Sequence, residues 1–380
     1  MKKAIFKVAV ALLALFFTGG LTDSCSLPGS TIRTKSKRTE YKMRKGINVS
    51  TWLCHTHARS GGEAEGAFTQ NDLNDLANMG FDHIRLPIDE KLLYRTSGLE
   101  RDEKTFRSIH DIIRWCDKAG ITIAINFHIP KAGKKVIASP GAQEERNRIV
   151  AVWKDLSSEF GKYPNELVAY EIYNEPNFGS DDLWNDFAAD MIGCIRESEP
   201  ERIIILAPNG NNAIDKLPAL RLPADKENII VSFHFYQPAV LTHYGVGKLK
   251  NIAVGLQYPG TIFPEGALDG KTGEEQAVLK LFNGTFDPEA LTRRLMPVVE
   301  FAKTNGIRIR CGEYGCNDAY EKTTGDKDLK VRWFTDIVAV FDKLGIPHCL
   351  WGTGATFGLF DDNGKLKDPR VVTAITGYKE

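Results

Sequence analysis

Residues 103–127, EKTFRSIHDIIRWCDKAGITIAINF, contain one complete transition from helix to strand. Apolar residues recur at helical spacing from Glu103 to Ala119, and Gly120 follows at the position where helices commonly end in a left-handed residue. Residues 121–127 are a short apolar run rich in β-branched side chains, which is typical of a buried strand. The stretch therefore predicts one helix and one strand of an α/β repeat.

The same alternation continues in both directions along the chain. Short β-rich apolar runs occur near residues 46–49, 82–87, 121–127, 167–173, 202–206, 229–235, 307–312 and 347–351. Segments of helical period lie between them: Asp72 to Met79, Glu103 to Ala119, Glu144 to Phe160, Asp182 to Glu197, Pro288 to Thr304 and Leu329 to Leu344. Asp287 before Pro288 is a typical helix start, and Gly306 and Gly345 are typical helix ends.

Eight strands that alternate with helices predict an α/β fold, and they favour a single closed (β/α)8 TIM barrel over an open sheet. No GxGxxG or GxxxxGK[ST] element of a nucleotide-binding fold occurs. The connection after the sixth strand, residues 237–287, is long and contains the aromatic residues Tyr244, Tyr258, Phe263 and Phe282. Because barrel active sites lie at the C-terminal ends of the strands, we expect this extended loop to line a substrate cleft.

Residues 1–25 have the features of an export signal. A lysine-rich start precedes the apolar run 8–17, which is shorter than the roughly 20 residues that a spanning helix needs. Cys25 is a candidate for lipidation, although Asp23 departs from the small residues usual before such a cysteine, and lipid anchoring and simple cleavage both stay open. We expect no spanning helix, and a periplasmic, outer-membrane lipoprotein or extracellular location.

Residues 26–44 are basic and poor in apolar side chains, which predicts a tether before a single domain at 45–380. The 49 Lys and Arg residues balance the 49 Asp and Glu residues, so no net charge favours nucleic acid or an anionic membrane. No CxxC or HExxH motif occurs, and we predict no metal, no cofactor and a monomer. Six cysteines besides Cys25 would permit disulfides, but their helical and apolar surroundings favour buried thiols.

Two acidic residues stand where predicted strands end. Glu175 lies in YEIYNEPN, residues 170–177, after the fourth strand, and Glu313 lies in RCGEYG, residues 310–315, after the seventh. If the barrel forms, both project from the same rim. Most acidic residues are expected on the surface, but two carboxylates that converge from different strands can cleave a glycosidic bond.

The sequence resembles family 5 of the glycoside hydrolases, the cellulase family of a retaining clan with this barrel. The resemblance covers Lys45 to about Gly354, with motifs in order at successive strand ends: IRLP (84–87), NFH (126–128), NEP (174–176), HFY (234–236), GEYG (312–315) and LWG (350–352). It implies that Glu175 is the acid/base and that Glu313 is the nucleophile. The supporting residues that it implies are Arg85, His128, Asn174, His234, Tyr236 and Trp351.

These residue types suit such chemistry. Arg85 can hold Glu313 ionised, and Tyr236 is a further donor to it. Glu175 is expected to begin protonated near neutral pH, because of burial and the charge of Glu313 about 5 Å away. The other residues are expected to contact the sugar or the carboxyl groups by hydrogen bonds or stacking: Asn174, His128, His234 and Trp351.

Other positions give weaker indications. Glu171 lies deeper in the fourth strand, so we expect it in a buried ion pair that supports the site. His55 and His57 lack a third ligand and are expected to contact substrate or solvent rather than a metal. Asn48 and Trp52 are candidates for lining the cleft.

The leading hypothesis is an endo-β-1,4-glucanase that acts on a β-linked polysaccharide by double displacement. A β-mannanase or a mixed-linkage β-glucanase would use the same residues, and positions in 237–287 would discriminate between them. A catalytically silent surface glycan-binding protein is the alternative of another class. The two carboxylates together with Arg85, Asn174 and Tyr236 speak against that alternative.

Overall fold

Eight parallel strands close into a barrel in the computed structural model, which describes residues 40–54, 68–129, 131–250 and 252–379. The barrel strands are β1 (Lys45–Asn48), β2 (His83–Asp89), β3 (Thr122–His128), β4 (Val168–Glu171), β5 (Ile204–Leu206), β6 (Ile229–Phe235), β9 (Arg308–Tyr314) and β10 (His348–Trp351). They pair in chain order, and β10 closes the barrel on β1. The predicted (β/α)8 TIM barrel is confirmed. An antiparallel pair, β7 (Gly260–Thr261) and β8 (Thr285–Phe286), lies outside it.

Helices cover the connections between the strands. They are α1 (Gln70–Asn78), α2 (Glu90–Leu93), α3 (Glu103–Ala119), α4 (Lys131–Ile137), α5 (Gln143–Phe160), α6 (Asp181–Ser198), α7 (Asn209–Asn212), α8 (Ala239–Thr242), α9 (Gly273–Lys280), α10 (Pro288–Asn305), α11 (Ala319–Thr324), α12 (Asp328–Leu344) and α13 (Pro369–Thr376). The six predicted helices correspond to α1, α3, α5, α6, α10 and α12. Their observed ends lie within two residues of the predicted ones, because the capping residues are local signals.

The unit α3 and β3 shows how the sequence sets these elements. The Asp102 carboxylate accepts a hydrogen bond from the Thr105 backbone N–H at 2.9 Å and caps the start of α3. Gly120 ends the helix with a φ of +77°, which glycine adopts without a Cβ clash. One face of α3 is buried, and each fully buried Ile or Phe contributes about 1.5–3 kcal/mol. The buried residues are Phe106, Ile109, Ile112, Ile113 and Cys116.

An apolar cluster near the N-terminal ends of the strands corrects the predicted domain boundary. Tyr41 and Met43 are buried there with Ala124, Ala169, Ile203, Ile205 and Ile230. Tyr41 and Met43 therefore belong to the packed domain, although the sequence analysis assigned them to the tether at 26–44. Residues 1–39, with the export signal and Cys25, lie outside the described residues, so their predictions stay predictions.

The extended loop after β6 has its own packing. It contains α8, α9 and the antiparallel pair, and three of the aromatic residues noted in its sequence are buried. Tyr244 accepts a hydrogen bond from the Val254 N–H at 3.0 Å, and Tyr258 donates to Asp336 at 2.9 Å. Tyr244, Tyr258 and Phe263 thus stabilise the loop by contacts within the fold. That the loop as a whole lines a substrate cleft stays a prediction.

The cysteines of the described residues agree with the expectation of buried thiols. Cys54, Cys194, Cys311, Cys316 and Cys349 are free thiols, and Cys116 is buried in α3. All of them are buried except the half-buried Cys194, in agreement with small apolar side chains.

None of the helices in the described ranges is long and apolar enough to cross a bilayer.

We expect the stability of the barrel to fall below pH 6.5 in part because of His348. This ring is 1% exposed and stacks on Phe341, and neither ring nitrogen has a hydrogen-bond partner among the described residues. Burial, with the nearby charges of His83 and Lys45, lowers its pKa to about 3. The unfolded chain therefore binds the proton first as the pH falls, and stability decreases by up to roughly 5 kcal/mol between pH 6.5 and pH 3.

The variant His348→Phe keeps a stacking ring without titratable nitrogens. Urea unfolding at several pH values should show a weaker loss of stability below pH 6.5 in this variant than in the natural chain. Parallel curves for the two proteins would show that His348 does not cause the loss.

Candidate active site

Arg85, on β2, is the centre of a buried network and has no exposed surface. Its Nε and Nη2 donate to the two carboxylate oxygens of Glu171, at 2.7 and 3.0 Å. Its Nη1 donates to Glu313 Oε1 and to Asn48 Oδ1, both at 2.8 Å, and Nη2 also donates to Asn174 Oδ1 at 2.7 Å. The predicted contact between Arg85 and Glu313 and the expected buried ion pair of Glu171 are both present.

Glu313 lies near the end of β9, opposite His234 of β6, and is 4% exposed. While Arg85 donates to Oε1, the hydroxyl of Tyr236 donates to Oε2 at 2.9 Å. Burial, together with the charges of Glu313 and Glu175, raises the pKa of Tyr236 well above its usual value, so the hydroxyl keeps its proton. Both oxygens of Glu313 thus face donors, which suits a carboxylate that stays negatively charged.

Glu175 lies four residues beyond Glu171, where β4 ends, and not on the strand itself. Its φ is +50°, a left-handed conformation that costs a residue with a side chain about 1–3 kcal/mol. The Glu175 N–H donates to Asn212 Oδ1 at 3.1 Å, and Lys134 Nζ donates to the Glu175 carbonyl at 3.3 Å. These two contacts hold the backbone that aims the carboxyl group.

The Glu175 side chain lies between two basic residues and is 34% exposed. Its Oε1 is 3.2 Å from His234 Nδ1, and its Oε2 is 3.9 Å from Lys134 Nζ. Burial raises the pKa of Glu175, but the hydrogen bond and charge of His234 and the charge of Lys134 outweigh it and lower the pKa to about 2. The expectation that Glu175 begins protonated is therefore wrong for the site without a sugar.

Glu175, His234 and Glu313 converge closely. One ligand atom of each lies within 4.8 Å of the other two, and His234 Nδ1 is 3.4 Å from Glu313 Oε2. Such a set could hold a metal ion, but Arg85, Tyr236 and Lys134 already supply positive or donor partners to the two carboxylates. A cation there would compete with these contacts. The absence of a metal stays a prediction.

His128 and Trp351 form a second part of the site at the ends of β3 and β10. Their rings stack with centroids 6.1 Å apart and an interplanar angle of 17°. His128 Nδ1 bonds to the Asn126 side chain, and Trp351 pairs in register with Asn48. Trp351 is half-buried, so part of its surface is open to solvent. The structure thus places all eight predicted residues at the same rim of the barrel.

Residues 43–356 match the family described as Cellulase (glycosyl hydrolase family 5). The chain belongs to this family. Endoglucanase C of Acetivibrio thermocellus is 24% identical over 350 residues, which cover 88% of this chain and 98% of that protein. Cellodextrinase A of Ruminococcus flavefaciens is 28% identical over 314 residues, which cover 80% and 83%. The structure of Thermotoga maritima Cel5A in complex with mannotriose aligns with a TM-score of 0.69 at 22% identity, covering 88% and 97%.

The predicted resemblance to family 5 is confirmed, and the protein is a glycoside hydrolase. Four further residues contact the charged residues of this site, and the sequence analysis did not place them there: Asn48, Lys134, Asn212 and Arg310. Arg310 gave a signal, since a charged residue inside an apolar strand needs a buried partner. Lys134 and Asn212 gave none, because they reach Glu175 only through the path of the chain.

Among the weaker candidates, Asn48 lies in the network rather than on the cleft surface, with its amide nitrogen donating to two backbone carbonyls. Trp52 is 7% exposed and packs against Phe68, and its place at the cleft stays a prediction. His55 and His57 lie outside the described residues. Two residues of the extended loop contact Tyr236: the ring centroids of His243 and Tyr236 are 4.8 Å apart, and the Thr242 hydroxyl donates to the Tyr236 carbonyl at 2.7 Å.

We expect Lys134→Met to raise the pKa of Glu175, because a positive charge 3.9 Å from its carboxylate is removed. A rise of about one unit is typical for the loss of one such cation. The basic limb of the pH profile of kcat on a polysaccharide, which reports groups in the sugar complex, should then move to higher pH. Lys135→Met, an exposed position on the same helix, is the matched control. Identical limbs in the two variants would contradict the role of Lys134.

Proposed function

We propose that this protein is a retaining endo-β-1,4-glucanase in which Glu313 is the nucleophile and Glu175 is the acid/base. The observation that carries the proposal is the separation of the carboxylates, whose ligand oxygens lie within 4.8 Å of each other. Retaining enzymes place the two groups about 5–5.5 Å apart, whereas inverting enzymes need about 6.5–9.5 Å to admit water between them. The short spacing favours direct attack by Glu313.

In the first step, a Glu313 oxygen bonds to the anomeric carbon while the bond from that carbon to the leaving oxygen breaks. Glu175 gives its proton to the leaving oxygen. The contacts of Arg85 and Tyr236 fix the orientation of Glu313, so little reorganisation is needed during the attack.

Glu175 must carry a proton in the sugar complex although its pKa is low in the empty site. A sugar that covers the half-exposed carboxyl group removes water from it and raises its pKa. The glycosidic oxygen also offers an acceptor for the proton. Substrate binding therefore couples to proton uptake at Glu175.

In the second step, Glu175 accepts a proton from water, and the water oxygen attacks the anomeric carbon. The ester bond to Glu313 breaks, and the carboxylate returns to Arg85 and Tyr236. Two inversions at one carbon give net retention. Asn174, whose Oδ1 is held by Arg85, keeps its amide nitrogen available for the sugar 2-hydroxyl, and Trp351 offers a ring face to the sugar.

The names of the relatives support the choice of substrate. An endoglucanase and a cellodextrinase are similar to this chain over four fifths of its length or more. A β-mannanase is the second candidate, because the aligned Thermotoga maritima structure contains mannotriose. The same carboxylate pair serves both substrates, so the distinction depends on sugar contacts away from Glu175 and Glu313.

We expect the chain without residues 1–25 to release reducing sugars from carboxymethyl-cellulose and barley β-glucan, with a rapid fall in viscosity that indicates internal cleavage. Glu313→Gln should lower kcat by at least about 10⁴-fold, because no nucleophile remains. Glu274→Gln, an exposed position on α9, is the control and should keep full activity. Activity on β-mannan alone would retain the mechanism and replace the substrate, and full activity of Glu313→Gln would end the assignment.

The variant Glu175→Gln separates the two steps within the same experiment. A dinitrophenyl β-cellobioside needs no proton in the first step, so the variant should release a burst of dinitrophenol and then turn over slowly. Azide should accelerate the second step, because it attacks without a general base. A variant with equal losses on all substrates and no burst would contradict the acid/base role.

We also propose that the protein is exported, on the basis of the lysine-rich start and apolar run within residues 1–25. Cell fractionation should place the natural chain in the envelope or the medium, and removal of residues 1–25 should leave it in the cytoplasm. Cys25→Ser, with metabolic labelling by a fatty acid, distinguishes a lipid anchor from simple cleavage. Equal cytoplasmic retention of both chains would contradict export.

A further inference from the structure

Four side chains form a continuous line of alternating charge inside the barrel. The order is Arg310, Glu171, Arg85 and Glu313, and each neighbouring pair forms an ion pair. The first three have no exposed surface, and Glu313 is 4% exposed. Two positive and two negative charges cancel, and ionised groups are tolerated in a protein interior only when they are paired in this way.

Arg310 lies on β9, three residues before Glu313, and forms the end of this line that is opposite to Glu313. Its Nη2 donates to Glu171 Oε2, the same oxygen that receives Arg85 Nε at 2.7 Å. Its Nε and Nη1 have no hydrogen-bond partner among the described residues. The Arg310 guanidinium therefore contacts the network through Glu171.

Resting on the proposed role of Glu313 as the nucleophile, we propose that Arg310 is a positioning residue: it neutralises Glu171, so that Arg85 remains available to Glu313. Arg85 has two carboxylate partners, and both compete for one positive charge. Without Arg310 the buried group would carry a net negative charge. That excess charge would favour a proton on Glu313 and would draw the Arg85 guanidinium towards Glu171.

The charged groups that face Glu313 come from several elements: Arg85 from β2, Glu175 from the loop after β4, and His234 and Tyr236 from β6 and its loop. Three buried thiols lie nearby, and burial raises the pKa of each, so they are neutral: Cys54, Cys311 and Cys349. The charges of Arg310 and Glu171 can therefore be changed by substitution while Arg85 and Tyr236, the two donors to Glu313, are kept.

The test compares Arg310→Met, Glu171→Gln and the double variant, with Arg310→Lys as the conservative change. The assay is the pH dependence of kcat/KM on a dinitrophenyl β-cellobioside. Because that leaving group needs no proton, the acid limb of the profile reports proton binding to Glu313 alone. Circular dichroism and urea unfolding establish that each variant is folded at the pH values used.

Arg310→Met should move the acid limb up by about one pH unit, and Glu171→Gln should move it down by a similar amount. The double variant restores electroneutrality, so its limb should return close to that of the natural chain. At a pH below both limbs, its kcat/KM should exceed that of Arg310→Met by about tenfold, since one unit of limb shift is one order of magnitude on the slope. Arg310→Lys should keep the natural limb.

A purely structural role for Arg310 gives a different pattern. All variants would then lose kcat or stability with an unmoved limb, and the double variant would be the weakest. That result, or shifts of the two single variants in the same direction, would overturn the proposal. If Arg310→Met does not fold, two results still test the proposal. Glu171→Gln should move the acid limb to lower pH, and the double variant should return it to the position of the natural chain. A natural chain that releases no dinitrophenol would instead overturn the proposed function.

Discussion

The buried Arg85 guanidinium is the interaction on which the rest of the site depends. A lone charge inside a barrel is unstable, and breaking one buried ion pair typically costs about 3–5 kcal/mol. Glu171 and Glu313 satisfy this charge from two different strands, and Asn48 and Asn174 accept its remaining N–H groups. The same contacts that keep Arg85 in the interior therefore fix Glu313, the proposed nucleophile, and Asn174, which precedes Glu175. Stability and catalytic geometry share one set of hydrogen bonds.

A second constraint acts on Glu175, which needs a precise direction but no longer lies on a strand. Its left-handed backbone is held by Asn212 after β5 and by Lys134 on α4, so three separate connections of the barrel contribute to one residue. Such a residue is sensitive to distant changes in loop structure, because the strain persists only while its surroundings maintain it. The proposed nucleophile lies on a strand and the proposed acid/base in the loop after β4, a division that suits a group which must exchange protons with sugar and water.

Local signals in the sequence were sufficient for much of this structure. The helix from Glu103 to Ala119 was predicted to the residue, because a capping aspartate and a terminal glycine mark its ends. Glu175 and Glu313 also stood out at predicted strand ends, whereas the other six site residues followed from the resemblance to family 5. Tyr41 and Tyr258 could not be placed in the same way, since their burial depends on segments distant along the chain. The low pKa of Glu175 was missed for the same reason: it depends on His234 of β6 and on Lys134 of α4, which no spacing rule connects to Glu175.

The charge arrangement of the site differs on its two sides, and this difference explains how two similar carboxylates take different roles. Glu313 faces Arg85 and Tyr236 and is 4% exposed, so an arriving sugar removes little water from it. Glu175 faces His234 and Lys134 at a half-exposed rim, where an arriving sugar changes the solvation of the carboxyl group. Only the second environment responds to substrate. Because the pKa of Glu175 can rise on binding while the donors of Glu313 stay in place, the proton enters the pair on the side of the leaving group, where the reaction needs it.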